Sequence, residues 1–231
     1  MKFPHRRVIA NDPLYQPQDR DMQFRLTYEG QLFATQKDPV SGQPDARADH
    51  KHEIRKQFHN QLRHVWETSP ALSVRENYPD QRAQKAQWTG AREPWVQYIA
   101  NQYARLGYRF APLVVEELWL SCRLDILFLR ADPPGSLIQS GDIDNRLKTL
   151  FDALRIPNNL NELGKYTKPE EGEDPFFCLL RDDKLITHVS VETDVLHKPV
   201  IGGVIDAHDA RLVITVTIRP AIVYMNNMDF L

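Results

Sequence analysis

Gly141-Asp142-Ile143-Asp144-Asn145-Arg146-Leu147-Lys148-Thr149-Leu150-Phe151-Asp152-Ala153-Leu154 is the stretch on which the reading of this chain turns. Ile143, Leu147, Leu150, Phe151 and Leu154 recur at the three-to-four-residue spacing of one helical face, so the segment reads as an amphipathic helix. Asp144, Lys148 and Asp152 follow one another at four-residue steps and are expected on a second, polar face. Asp142 stands where a helix N-cap belongs, and Ile156-Pro157 closes the segment. Acids at the cap and two residues later converge near a helix N-terminus, where oxygen ligands can hold a hard cation. The structural alternative makes Asp142 a cap only and Asp144 a first-turn acid favoured by the helix dipole. In that reading Lys148 is simply the i, i+4 partner of Asp144 or Asp152.

Outward from this helix, a second acidic pair, Asp182-Asp183, lies between two β-rich runs at residues 177–180 and 185–191. A turn at a strand edge can bring a further carboxylate to the first pair. Neighbouring strand-like side chains diverge, so only one of the two is expected to point there. The plain alternative is a turn dipeptide. Clustered aspartates with a lysine suit metal-assisted phosphodiester hydrolysis: the carboxylates hold Mg2+ or Mn2+, and the lysine offsets charge developing on phosphate. Asp125, in the strand before the motif, can face the site or, as the plainer reading has it, outward.

The same residues carry a family resemblance. Asp142-Ile143-Asp144-Asn145, then Lys148, then Phe151-Asp152-Ala153-Leu154, and later Asp182-Asp183, resemble the signature of RusA-type Holliday junction resolvases. The resemblance implies a small α/β endonuclease that acts as a homodimer, needs Mg2+ or Mn2+, and resolves four-way DNA junctions by two symmetric nicks. Carried over residue by residue, it makes Asp142, Asp144 and Asp183 the metal-binding catalytic acids and Lys148 the catalytic lysine. Asn145, Asp152 and Asp182 would support them. Arg146, Arg82, Lys85 and Arg92 are the expected DNA contacts. Family members are typically little more than half as long. The basic run that often precedes their Asp-x-Asp is replaced here by Pro133-Pro134-Gly135-Ser136 and Gln139-Ser140-Gly141.

The expected fold is α/β (α+β): a mixed β-sheet with flanking helices, RusA-like, in a single domain with insertions. Residues 1–21 read as a polar N-terminal extension, 22–220 as the nuclease domain with insertions at about 73–111 and 158–175, and 221–231 as a tail. Within it, strands are expected at 24–28, 118–129, 194–196 and 211–218, with Pro220 ending the last. A first helix is expected over 52–66, and another over 94–106 capped by Gly107. The stretch 75–93 interleaves Arg75, Arg82, Lys85 and Arg92 with Tyr78 and Trp88, a composition that follows a DNA backbone and stacks on unpaired bases; a surface insertion is the bland reading.

Composition bounds the alternatives. The chain has 231 residues, 42% hydrophobic and 26% charged, ordinary values for a globular protein. No apolar run reaches the length of a membrane span and the N-terminus lacks a signal-peptide core, so a cytoplasmic protein without a membrane partner is expected. Residues 1–110 hold 17 Lys/Arg against 12 Asp/Glu, and residues 111–231 hold 12 against 19. The basic half can therefore meet phosphate while bound cations offset the acidic half. Cys122 and Cys178 sit in apolar runs and read as buried thiols. The eight histidines show no i, i+4 helical zinc pair, and there is no Gly-rich phosphate loop, Gly-x-Ser-x-Gly or Cys-x-x-Cys. The rival from another class is a non-catalytic DNA-binding or protein-interaction module that keeps the RusA fold. A nuclease for other branched DNA is the second.

Overall fold

Alternation of apolar and polar residues builds the main sheet of this α+β chain. The computed structural model describes residues 21–34, 47–73, 76–77, 93–131, 143–200, 202–223 and 227–230. Strand β1 (Met22–Gln31) leads to helix α1 (Ala48–Thr68), a helical turn α2 (Pro70–Ser73) and the two-residue strands β2 (Glu76–Asn77) and β3 (Glu93–Pro94). Helix α3 (Trp95–Gln102) precedes strands β4 (Ala104–Arg105), β5 (Tyr108–Val114) and β6 (Leu120–Arg130). Helix α4 (Ile143–Leu154) and strands β7 (Phe176–Leu180), β8 (Ile186–Val195) and β9 (Asp209–Pro220) complete the order.

The main sheet has the order β1-β9-β6-β8. β9 is antiparallel to both its neighbours, whereas β8 runs parallel to β6. A parallel pair needs a crossover, and the chain makes it through α4 and β7. Along β6, Leu120, Cys122, Leu124, Ile126 and Phe128 are buried while Arg123 is exposed, the two-residue period of a half-covered strand. β9 repeats the pattern with Leu212, Ile214, Val216 and Ile218. β7 belongs to a second sheet, β4-β5-β7, in which β5 and β7 are parallel. Helix α1 buries Ile54, Phe58, Leu62 and Trp66 at four-residue spacing and packs on β1, β7 and α4. Each such side chain contributes on the order of 2 kcal/mol.

Several expected boundaries move. The runs at 185–191 and 194–196 are one strand, β8, because β6 pairs with it continuously from Arg123 to Arg130. The helix expected over 94–106 ends at Gln102. There β4 turns back to pair with β5, and Leu106 (φ 56°) with Gly107 (φ 83°) supplies the two positive φ angles of a two-residue hairpin loop. Gly107 thus turns a hairpin and caps no helix. The later part of the 73–111 segment is core, since β5 pairs with β7 and α3 buries Trp95, Ile99 and Ala100. The 158–175 segment is strapped to α1. Lys165 N donates to Asp49 Oδ1 (2.7 Å), Tyr166 stacks on His52 at 4.6 Å, and Lys56 pairs with Glu170 and Glu173.

Cys122 and Cys178 are free and buried, and burial pushes both thiols up to about 12. The two edges of the main sheet differ. At β1, Gln61 of α1 accepts from Thr27 N–H (2.8 Å) and donates to Thr27 C=O (2.7 Å), which plugs that edge. β8 forms the other edge and is exposed along most of its length.

Candidate active site

The motif helix forms where its periodicity placed it, and its burial decides which polar groups are free to act. Ile143, Leu150, Ala153 and Leu154 are buried, with Arg146 and Thr149 among them. Asp144 and Lys148 are exposed. Neither makes a hydrogen bond or ion pair among the described residues, so Lys148 is not held by Asp144 at i, i+4. Asn145 is half-buried, and its carbonyl accepts from the Thr149 hydroxyl (3.3 Å).

Asp152 does not share their face. Eight residues at 100° each return it about 80° away from Asp144, and the rotation aims it at α1. Lys51 Nζ lies 2.8 Å from Asp152 Oδ2, and Arg155 Nη2 lies 3.0 Å from Oδ1. Arg155 reaches on to Glu162 at 2.9 Å. The buried Arg55 donates to the carbonyls of Asp152 (2.9 Å) and Arg155 (3.2 Å), satisfying groups that the end of α4 leaves without helical partners. Asp152 therefore ties α1 to the C-terminal end of α4, with both carboxylate oxygens occupied. Asp152→Ala is expected to remove one ionic partner each from the buried Lys51 and from Arg155 and lower stability by about 3 kcal/mol, read by urea unfolding. A change below 1 kcal/mol would rule out this structural role.

Arg146, expected on the DNA surface, is buried, and its Nη2 donates to the Ala207 carbonyl at 3.1 Å. It anchors the chain that enters β9. Asp142, Arg82, Lys85 and Arg92 lie outside the described residues.

The second acidic pair sits where β7 runs out. Arg181 N–H still pairs with the Val114 carbonyl (3.0 Å), and a 3-10 turn follows at Asp183–Leu185. Asp182 caps that turn: Oδ1 accepts from Lys184 N–H (3.1 Å) and Oδ2 from Arg181 (2.9 Å). Burial works against its charge, but the Lys184 amide, the Lys184 ammonium and Arg181 outweigh it and hold the carboxyl below the usual range. Asp183 is exposed, and its side chain stays close enough to Asp182 to help hold that carboxyl down. The turn packs against α4 and β6, with Leu185 and Ile186 on the same core as Leu147 and Phe151. The element carrying Asp183 and the helix carrying Asp144 and Lys148 are thus in contact.

Two acids escaped the sequence reading. Glu116 and Glu117 begin a 3-10 turn before β6; Glu116 pairs with Lys184 at 2.6 Å, and Glu117 accepts from the Tyr103 hydroxyl at 2.8 Å. A Glu-Glu dipeptide ahead of a strand carries no signal of this, because only the tertiary contact brings Lys184 to it. Asp125 faces outward, as the plainer reading has it, bonded to Arg123 on its own strand (2.8 Å). That bond holds its carboxyl below the usual range.

Among the described residues no three His, Cys, Asp or Glu side chains stand together as a metal site. No described helix is long and apolar enough to cross a membrane. Comparison with protein-family models, with curated proteins and with solved structures finds no match.

Proposed function

We propose that this chain is a metal-dependent endodeoxyribonuclease that acts in the cytoplasm as a homodimer and cleaves branched DNA, four-way junctions foremost. The observation that carries the reading is α4: Asp144 and Lys148 stand exposed and without an ion pair among the described residues, on the helix whose motif resembles the RusA-type resolvases. The Asp182-Asp183 turn packed beside that helix supports it.

The donor chemistry fits Mg2+ or Mn2+. Exposed carboxylates offer hard oxygen ligands and leave coordination positions for water and phosphate. Asp144 and Asp183, completed by Asp142, would hold the ion. When bound, it supplies Lewis-acid polarisation of the phosphoryl group and lowers the pKa of water. The chain's own part is then electrostatic. Lys148 brings an unpaired ammonium to charge that builds on phosphate, and Lys184 and Arg181 border the acidic turn where the neighbouring phosphate would lie.

The deciding experiment is cleavage of a labelled four-way DNA junction against matched linear duplex, with Mg2+, Mn2+ or EDTA. Paired, metal-dependent nicks confined to the junction are the expected result. Folded protein that cleaves nothing with either metal would leave the non-catalytic binding module in its place. Lys148→Ala is expected to slow cleavage about a hundredfold at an unchanged melting temperature, because this exposed side chain supports no fold contact. A rate within threefold of the parent would remove Lys148 from the reaction.

A further inference from the structure

The main sheet protects one edge and leaves the other open. β8 is ten residues long, Ile186-Thr187-His188-Val189-Ser190-Val191-Glu192-Thr193-Asp194-Val195. Among the described residues no strand pairs with its far side. It holds no proline, lysine or arginine; a bulge at Thr187 and the acids Glu192 and Asp194 leave the apolar stretch Val189–Val191 open between them. Val189 is 40% exposed although it stands beside Leu124, which is fully buried. Val189 therefore leaves apolar surface at the unpaired edge.

We infer that β8 is a pairing edge through which a second copy of this chain joins antiparallel, with a two-fold axis at Ser190, to make one continuous sheet. In such an isologous junction, opposed residues lie on the same face of the sheet, so the axis must pass through a residue position. Thr187-His188-Val189-Ser190-Val191-Glu192-Thr193 reads the same in both directions except at His188 and Glu192, which are complementary. Centred on Ser190, Val189 meets Val191 of the second copy on the inner face, beside the buried Leu124 and Ile126, and Thr187, the bulged residue where β8 begins to pair with β6, lies opposite its Thr193. On the outer face, His188 meets its Glu192. Every pairing off the axis occurs twice. Centring on Val191 instead sets Val189 against Thr193 and Ser190 against Glu192, which loses the apolar and the hydroxyl match together. The inference gives an interface to the homodimer of the proposed function, and is argued only from the strand and its sequence.

Site-directed cross-linking tests it on the full chain. Wild type is expected to sediment as a dimer at tens of micromolar. Under mild oxidant, Ser190→Cys is expected to form a covalent dimer at least tenfold faster than Thr187→Cys. Thiols at the axis face each other, whereas those three residues away stand about 20 Å apart. The native Cys122 and Cys178 are buried and do not compete. Val189→Lys is expected to sediment as a monomer at the wild-type melting temperature. Equal cross-linking at the two positions, or a wild-type monomer at these concentrations, would overturn the assignment. A wild-type monomer would also remove the homodimer from the proposed function, whereas equal cross-linking in a wild-type dimer would overturn only the β8 interface; cleavage is scored separately.

Discussion

Asp144→Asn is expected to reduce metal-dependent junction cleavage by about a thousandfold while the protein melts as before. Asparagine keeps the shape of the side chain and removes the charge that a hard divalent cation requires. Stability should move by no more than about 0.5 kcal/mol, because Asp144 is exposed, has no partner among the described residues and lends α4 only a first-turn dipole contribution. Junction binding at fixed salt should persist or tighten, since a negative charge has left the surface that meets phosphate. The contrast with Asp152 is the useful part. Both acids belong to the same motif, yet Asp152→Ala should lower stability by about 3 kcal/mol and Asp144→Asn should leave the protein as stable as before but inert. Full activity in Asp144→Asn would end the nuclease assignment.

What the sequence made legible is what two periodicities encode. The alternation along residues 120–130 and 209–220 and the four-residue spacing of Ile54, Phe58, Leu62 and Trp66 are read directly from residue order, and those elements stand where expected. Local spacing fails where a partner from elsewhere decides. Asp152 looked coplanar with Asp144 because four-residue steps approximate a face, but the 40° lost at each step turns it onto Lys51. Arg146 reads as a surface cation, and only the chain entering β9 supplies the carbonyl that lets it be buried. The helix over 94–106 stops short because β5 offers Arg105 a strand partner. His52 and His59 were set aside for lacking zinc spacing, but seven residues is itself the return period of a helical face. That face meets the aromatic cluster of Tyr108, Tyr166, Phe176 and Phe177.

Those two histidines set the second large effect: stability should fall by about 4 kcal/mol between pH 7 and pH 5. Both rings are buried. Burial first, then Arg55 and Lys56, depresses His52 to about 3, and burial with Arg63 depresses His59 to about 4. Geometry explains why neither ring welcomes a proton. His59 Nδ1 accepts the Phe177 N–H at 2.9 Å, and its Nε2 faces the Gly172 carbonyl with Arg63 2.9 Å away. His52 Nδ1 lies 3.1 Å from the Arg55 guanidinium, and its other nitrogen is buried without a partner. Glu173, Glu170, Glu53 and the hydroxyls of Tyr108 and Tyr166 border the same cluster, with Lys56 tied to Glu170 and Glu173 and the Tyr166 hydroxyl bonded to Glu53. In the unfolded chain both imidazoles titrate near their ordinary value of about 6.5, so below it the unfolded state binds protons that the folded state refuses. Their contribution is complete above pH 6.5 and is lost as pH falls, at about 2 kcal/mol per ring by pH 5. His50, also lowered chiefly by burial, acts with the same sign. The depressed carboxyls of Glu29, Asp125 and Asp182 titrate in a separate window below about pH 4.5. Urea unfolding at pH 7, 6 and 5 measures the slope, and the double variant His52→Gln, His59→Gln should flatten it by more than half. A wild-type stability that is level across this range would show that the buried rings accept protons without disturbing the cluster.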